Sequence, residues 1–175
     1  GGNDDDDAGL VQRALTSIFD KISGGTAAVA TDRGTAPAAT GGGCRTTTKA
    51  SFFEIYNERV YDLLSPNNDG PSMEDDRGLP VREDNVKGVY VEGLYEWEVN
   101  NTNDAMQALR MGMANRSVAS TNMNRASSRS HAIFVLSVRS VTSDGNSGGI
   151  ARVRHSKFTL VDLAGSERQK TTATD

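Results

Sequence analysis

The sequence predicts an α/β layered domain, with a mixed central sheet and helices on both faces. Three observations carry this. Two apolar, β-type runs, His131 to Val141 and Val153 to Leu163, flank the cluster Ser143-Asp144-Gly145-Asn146-Ser147-Gly148-Gly149, which reads as one long antiparallel hairpin. Its second strand, Phe158-Thr159-Leu160-Val161-Asp162, is apolar, ends in a carboxylate and is followed three residues later by Gly165. Two stretches with apolar residues at helical spacing come before the hairpin, so helices have a sheet to cover. A length of 175 residues with 36% hydrophobic content suffices for one domain with a core.

In chain order, residues 1–8 begin with Gly1-Gly2-Asn3 and four aspartates, a flexible acidic loop. Those four aspartates equal the whole net charge of −4; the rest of the chain balances, 19 basic residues against 23 − 4 = 19 acidic. That balance argues against a general nucleic-acid binder, and no long apolar span or signal-like start points to a membrane, so the chain reads as cytosolic. The single Cys44 makes no internal disulfide, and no cysteine/histidine cluster suggests structural zinc. Gly1 is not a natural start, so a fragment of a longer protein is expected.

Leu10, Val11, Ala14, Leu15, Ile18, Phe19 and Ile22 then form the apolar stripe of an amphipathic helix that Gly24-Gly25 ends. Ser23 to Thr48 is rich in Ala, Thr and Gly without hydrophobic periodicity, which predicts a disordered, low-complexity insertion. Structure is expected to resume at Ala50. Phe52, Phe53, Ile55, Tyr56, Val60 and Tyr61 form an aromatic β-rich run around Asn57-Glu58, read as core, and 65–71 breaks into a loop. Leu79 to Val99 alternates well enough for two or three strands, with Gly88 and Gly93 as turns or bulges. Thr102 is placed to cap the next helix, Asp104 suits its first turn, and Ala105, Met106, Leu109 and Met113 face inward. Gly112 inside that helix costs roughly 1 kcal/mol relative to Ala unless close packing requires it. Residues 115–121 end the helix and lead to Asn124-Arg-Ala-Ser-Ser-Arg-Ser-His131.

If the hairpin turn centres near Asn146 and Ser147, paired residue numbers sum to about 293 and His131 lies opposite Asp162. Two polar motifs far apart in sequence then meet at one end of a buried hairpin, and the hairpin is expected to sit centrally in the sheet. Chemistry can use that arrangement. In phosphate-hydrolysing nucleotidases an aspartate at such a strand end holds magnesium, usually through water. Gly165 offers a backbone N–H unobstructed by a side chain. Ser127 and Ser128 supply hydroxyls, Asn124 an amide, and Arg129 and Glu167 carry opposite charges at the same end. Either motif alone is weak, since Asp-x-x-Gly is more often a strand and turn; the two together are far more specific. His131 is expected to be packed or hydrogen-bonded rather than catalytic, and His155 to lie on the surface.

Asn124-x-x-Ser-Ser-Arg-Ser-His131 and Asp162-Leu-Ala-Gly-Ser-Glu167 closely resemble the first and second nucleotide switches (124–131 and 162–167) of the kinesin motor domain. Myosins share the first pattern but continue with Phe-Gly where this chain has Ser130-His131, and small GTPases share only Asp-x-x-Gly. Further segments are similar to the same family: Gly9 to Ala14, Ser51 to Leu64 as a core strand and a short following helix, and Leu79 to Leu94 as a strand pair whose loop touches tubulin. The resemblance implies a partial motor domain on the P-loop nucleotidase plan, ATP and Mg²⁺ as ligands, and microtubules as partner. It implies that Ser127 and Ser128 contact the γ-phosphate and Mg²⁺, that Asp162 binds magnesium through water, that Gly165 senses the γ-phosphate, and that Arg129 and Glu167 form a gating salt bridge. Arg82 and Lys87 would face tubulin. The parent protein would pair with copies of itself through a stalk outside this chain and reside on the cytoskeleton, at a spindle or phragmoplast.

The sequence departs from the family at three points: Gln12 stands where Pro is common, Glu92 stands where many members place Lys, and the 23–48 crossing is unusually long. Gln169-Lys170-Thr171-Thr172 together with 118–124 looks most like the kinesin-twelve class of motors. No Gly-rich loop ending in Gly-Lys-Ser/Thr occurs in these 175 residues; Gly41-Gly42-Gly43-Cys44-Arg45 lacks the Lys-Ser/Thr. The leading expectation is the core of an ATP-hydrolysing microtubule motor. The alternatives are a degenerate motor that binds microtubules without hydrolysis, and a non-motor nucleotide switch.

Overall fold

A computed structural model describes residues 9–25, 44–66, 78–85, 88–123, 129–143 and 151–165. Expectations for 1–8, 26–43, 67–77, 86–87, 124–128, 144–150 and 166–175 lie outside the described residues. In chain order the elements are helix α1 (Leu10–Gly25), strands β1 (Cys44–Tyr56), β2 (Arg59–Asp62), β3 (Val81–Asp84), β4 (Gly88–Val91) and β5 (Trp97–Glu98), helix α2 (Thr102–Met123), and strands β6 (His131–Thr142) and β7 (Arg152–Asp162).

The main sheet runs β2-β1-β6-β7, with β5 also pairing β1. All of its pairings among the described residues are antiparallel. Strand alternation sends one set of side chains to the helical face. Across β1, β6 and β7 they form layers: Ala50, Leu136 and Phe158; then Phe52, Phe134 and Leu160; then Glu54, Ala132 and Asp162. Ala50, Phe52, Ala132, Phe134 and Leu136 are buried there beside Leu15 and Phe19 of α1 and Ala105 and Ala108 of α2. Both described helices therefore cover the same face. Phe52 and Phe134 meet edge to face, centroids 5.7 Å apart at 79°, a favoured aromatic geometry.

Local chemistry accounts for the elements. α1 follows its apolar stripe, with Leu15 and Phe19 buried and Val11, Ile18 and Ile22 packed against the core. α2 is capped by Asn101 rather than Thr102: the Asp104 N–H donates to Asn101 Oδ1 at 2.9 Å, while Asp104 Oδ2 accepts from the Asn100 N–H at 2.9 Å. Its inward stripe is Ala105, Ala108, Gly112 and Arg116, and Met113, expected inside, is 46% exposed. Gly112 is there because a Cβ would overlap the Phe52 ring, the close packing that justifies a helical glycine. Asn57 (φ 49°) and Glu58 (φ 63°) form the tight left-handed turn between β1 and β2. Gly88 and Gly93, read as turn positions, both have positive φ, 71° and 78°.

Several expectations need correction. The insertion assigned to 23–48 is ordered at both ends: 23–25 completes α1, and 44–48 begins β1, paired from Cys44↔Thr142 to Thr48↔Val138. The Asp62-Leu63-Leu64 segment is a bend rather than a short helix, with both leucines buried and the Leu64 N–H bonded to Asp62 Oδ1 at 2.8 Å. α2 continues through Met123 instead of ending near 115–121. The hairpin register sums to 294, so Ala132, not His131, lies opposite Asp162. The hairpin is also not central among the described residues, because β7 is the sheet's edge strand.

Candidate functional site

The one-residue register difference decides the chemistry of the site. It turns Asp162 toward the helical face and His131 toward the opposite one. On the helical face, Glu54, Ala132 and Asp162 form one row across three strands, two carboxylates separated by a methyl group. Ala132 leaves space above it, and Arg116 from α2 fills that space. Its Nη1 donates to Asp162 Oδ2 at 2.7 Å, its Nε to Glu54 Oε1 at 3.4 Å, and its Nη2 to both the carbonyl and the hydroxyl of Ser130 at 3.2 Å. One planar guanidinium thus binds in three directions, a task that a point-charge lysine could not perform.

Arg116 and Glu54 are 5% and 2% exposed, whereas the Asp162 side chain is 66% exposed. The inner pair carries a large desolvation cost that the mutual attraction and the Ser130 bonds offset. The outer carboxylate stays in contact with water, and its Oδ1 lies outside the Arg116 bond. On the other face, the Ala164 N–H donates to His131 Nδ1 at 3.0 Å. Ser130 and His131 are therefore tied to Asp162 and Ala164 from both sides of the sheet. His131 is hydrogen-bonded, as its position suggested, and His155 is exposed.

A comparison with known families settles the kinship. A profile described as the kinesin motor domain matches residues 1–175. The chain belongs to the kinesin motor domain family. It is 52% identical over 131 residues to kinesin-like protein KIN-12G of Oryza sativa subsp. japonica, covering 75% of this chain and 10% of that protein. It is 46% identical over 129 residues to KIN-12E of Arabidopsis thaliana (74% and 9%), and 50% identical over 124 residues to KIF15 of Homo sapiens (71% and 8%). These relatives support the kinesin-twelve resemblance. A solved structure of a fast kinesin superposes with a TM-score of 0.70 at 35% identity, over 99% of this chain and 41% of that one. The fold is accordingly the P-loop nucleotidase type of the kinesin motor domain, and the chain spans a tenth or less of the length of these curated relatives.

Within that kinesin frame, the described residues include Arg129, Asp162 and Gly165 of the expected switch residues; Asn124, Ser127, Ser128 and Glu167 lie outside them. Arg129 is exposed in a single turn just before the buried Ser130. Gly165 is exposed two residues beyond Leu163. Among the described residues no cluster of three or more His, Cys, Asp or Glu could hold a metal. Magnesium does not need such a cage, since it keeps most of its waters and takes one or two carboxylates plus phosphate oxygens. A largely exposed Asp162 with one oxygen held by Arg116 fits that mode.

Of the two cations expected to face tubulin, Lys87 lies outside the described residues, and Arg82 is exposed but paired with Glu92, Nε to Oε2 3.0 Å. At the end of β2, Asp62 accepts N–H bonds from Leu64 at 2.8 Å and Tyr95 at 2.6 Å, and burial still raises its pKa above the ordinary carboxylate value. The reading from sequence missed Arg116 and Glu54. Their signals were present: Arg116 continues the 105-108-112 spacing of the inward helix stripe, and Glu54 shares the inward parity of Ala50 and Phe52.

Proposed function

We propose that this chain is the switch-bearing core of an ATP-hydrolysing, microtubule-stimulated motor. The observation that carries the proposal is the double tie between Ser130-His131 and Asp162-Ala164, made by Arg116 on one face and by His131 on the other. Two motifs that carry phosphate-type chemistry are held as one unit. A change at either is then felt at the other, as a nucleotide switch requires.

In this proposal Ser127 and Ser128 bind the γ-phosphate and the metal, Asp162 holds magnesium through water, and Asn124 contributes an amide. Gly165 donates its backbone N–H to the γ-phosphate, where any side chain would obstruct the approach. Arg129 and Glu167 close as a salt bridge that gates hydrolysis. Magnesium, when bound, supplies positive charge that offsets the charge of the phosphates. The Arg116 guanidinium keeps Asp162 oriented, and Glu54 behind it holds the guanidinium in place.

The whole protein's substrate is then ATP and its partner the microtubule, with Arg82 and Lys87 on the tubulin-facing lobe and the cytoskeleton as its location. Self-association through a stalk outside this chain belongs to the same proposal. The test is ATP hydrolysis by the complete motor domain with and without microtubules. Stimulated turnover that Glu167→Ala abolishes is the expected result. Microtubule binding without turnover would replace the proposal with a non-hydrolysing microtubule binder, and absence of both would overturn it.

A further inference from the structure

We propose that His131 is a positioning residue for the second switch: its Nδ1 lone pair fixes the Leu163–Ala164 peptide and thereby aims the adjacent Gly165 amide. The inference deepens the function proposed above and rests on that reading of Gly165.

The geometry is specific about the acceptor. An amide N–H can only donate, so the 3.0 Å contact from Ala164 N requires a lone pair on Nδ1. The imidazole proton therefore sits on Nε2. The ring itself is a fixed post. His131 begins β6 and pairs with Ile55 of β1, and the residue before it, Ser130, is fully buried with its carbonyl and hydroxyl both held by Arg116. Among the described residues, the loop on either side of Ala164 is open, with Leu163 69% exposed and Gly165 exposed. Once the Ala164 N–H is pinned, only the φ and ψ of Ala164 separate it from the Gly165 N–H. A small error in aiming a transition-state donor is costly, because a misplacement of about 1 Å can lower rates about 100-fold.

A merely packed histidine would be replaceable by any side chain of similar volume. A positioning histidine is replaceable only by a side chain that presents an acceptor at the same place. Asparagine does so, because its Oδ1 is attached to Cγ as Nδ1 is; leucine fills space without an acceptor. In the complete motor domain, His131→Leu is expected to lower microtubule-stimulated kcat about 10- to 100-fold with KM for ATP changed less than about threefold, and His131→Asn to stay within about threefold of the parent. Equal activity of both variants, or equal loss in both, overturns the proposal.

Amide hydrogen exchange in the nucleotide-free motor domain reads the same bond without turnover. Exchange at Ala164 should rise in His131→Leu and not in His131→Asn, while the β6 amides, protected alike in both, show that the fold is intact. Unchanged exchange at Ala164 in His131→Leu sinks the proposal. A motor domain that hydrolyses nothing yet shows this exchange pattern would refute the proposed function and leave the His131 post standing.

Discussion

At the residue scale, Arg116 is the side chain on which the site depends. Removing one partner of a buried ion pair leaves the other charge without compensation, which costs about 3–5 kcal/mol. Arg116→Met in the motor domain should therefore lower stability by about 3–5 kcal/mol in urea unfolding, because it removes the Nε bond to Glu54, which is 2% exposed, together with both bonds to Ser130. Adding Glu54→Gln should recover more than half of the loss, whereas additive losses would show that the two residues are not coupled. The pair was invisible in the sequence for a physical reason. Parity and helical spacing say that each side chain points inward, but the partners are 62 positions apart and only the assembled sheet brings them together. His131 was more legible, since a polar residue at a strand start needs a local partner, and it found Ala164. Asp62 gives a pH prediction. Burial raises its folded-state pKa above the ordinary 3.8 despite the Tyr95 and Leu64 amides, so it favours the folded state at low pH. That contribution is complete below the unfolded value and is lost as pH rises through the folded one. Relative to Asp62→Asn, the parent should lose stability as pH climbs from about 3.8 through the raised value; an identical pH profile for the two would contradict it.

At the element scale, α2 and β1 are locked by the contact of Gly112 with Phe52. Gly112→Ala gains roughly 1 kcal/mol of helix propensity, but forcing a methyl against the ring costs about 1–3 kcal/mol in a packed core. The expected net effect is destabilisation, and Phe52→Leu in the same chain should relieve part of it; a higher melting temperature for Gly112→Ala alone would refute the packing argument. The tight turn offers the opposite sign. Glu58 occupies a left-handed conformation at φ 63° that costs a non-glycine residue roughly 1–2 kcal/mol, so Glu58→Gly should be neutral or stabilising by up to about 1 kcal/mol. Where periodicity was strong, the elements were legible: α1, the aromatic strand, the β3–β4 pair and the β6–β7 hairpin. The early part of β1 was not, because Cys44-Arg-Thr-Thr-Thr48 has no apolar alternation to read. Those residues are strand because β6 extends beside them, with Thr46 Oγ1 and Ser140 Oγ 3.0 Å apart across the ladder. The hairpin turn residues located the register to within one position, and that one position decided which face received Asp162.

At the scale of the whole molecule, the chain carries the two proposed switch motifs, and no Gly-Lys-Ser/Thr occurs among its 175 residues. It covers 41% of the fast kinesin chain it superposes on. The lysine and the cradle of N–H groups that such loops supply carry most of the phosphate binding, and serines and an aspartate alone cannot substitute for them. β7 adds a second consequence. It is the edge strand of the described sheet, and Val161 within it and Leu163 just after it are 52% and 69% exposed. A long edge strand with apolar side chains templates pairing with another chain. The 175 residues alone are thus expected to show no ATP turnover and to self-associate in sedimentation, and Val161→Lys should reduce the association by placing a charge on that edge. On the function proposed above, a complete motor domain that includes a phosphate-binding loop should turn ATP over under the same conditions. Turnover by the 175 residues alone would mean that the Ser130-Asp162 unit binds phosphate unaided, and association unaffected by Val161→Lys would mean that the β7 edge is not its cause.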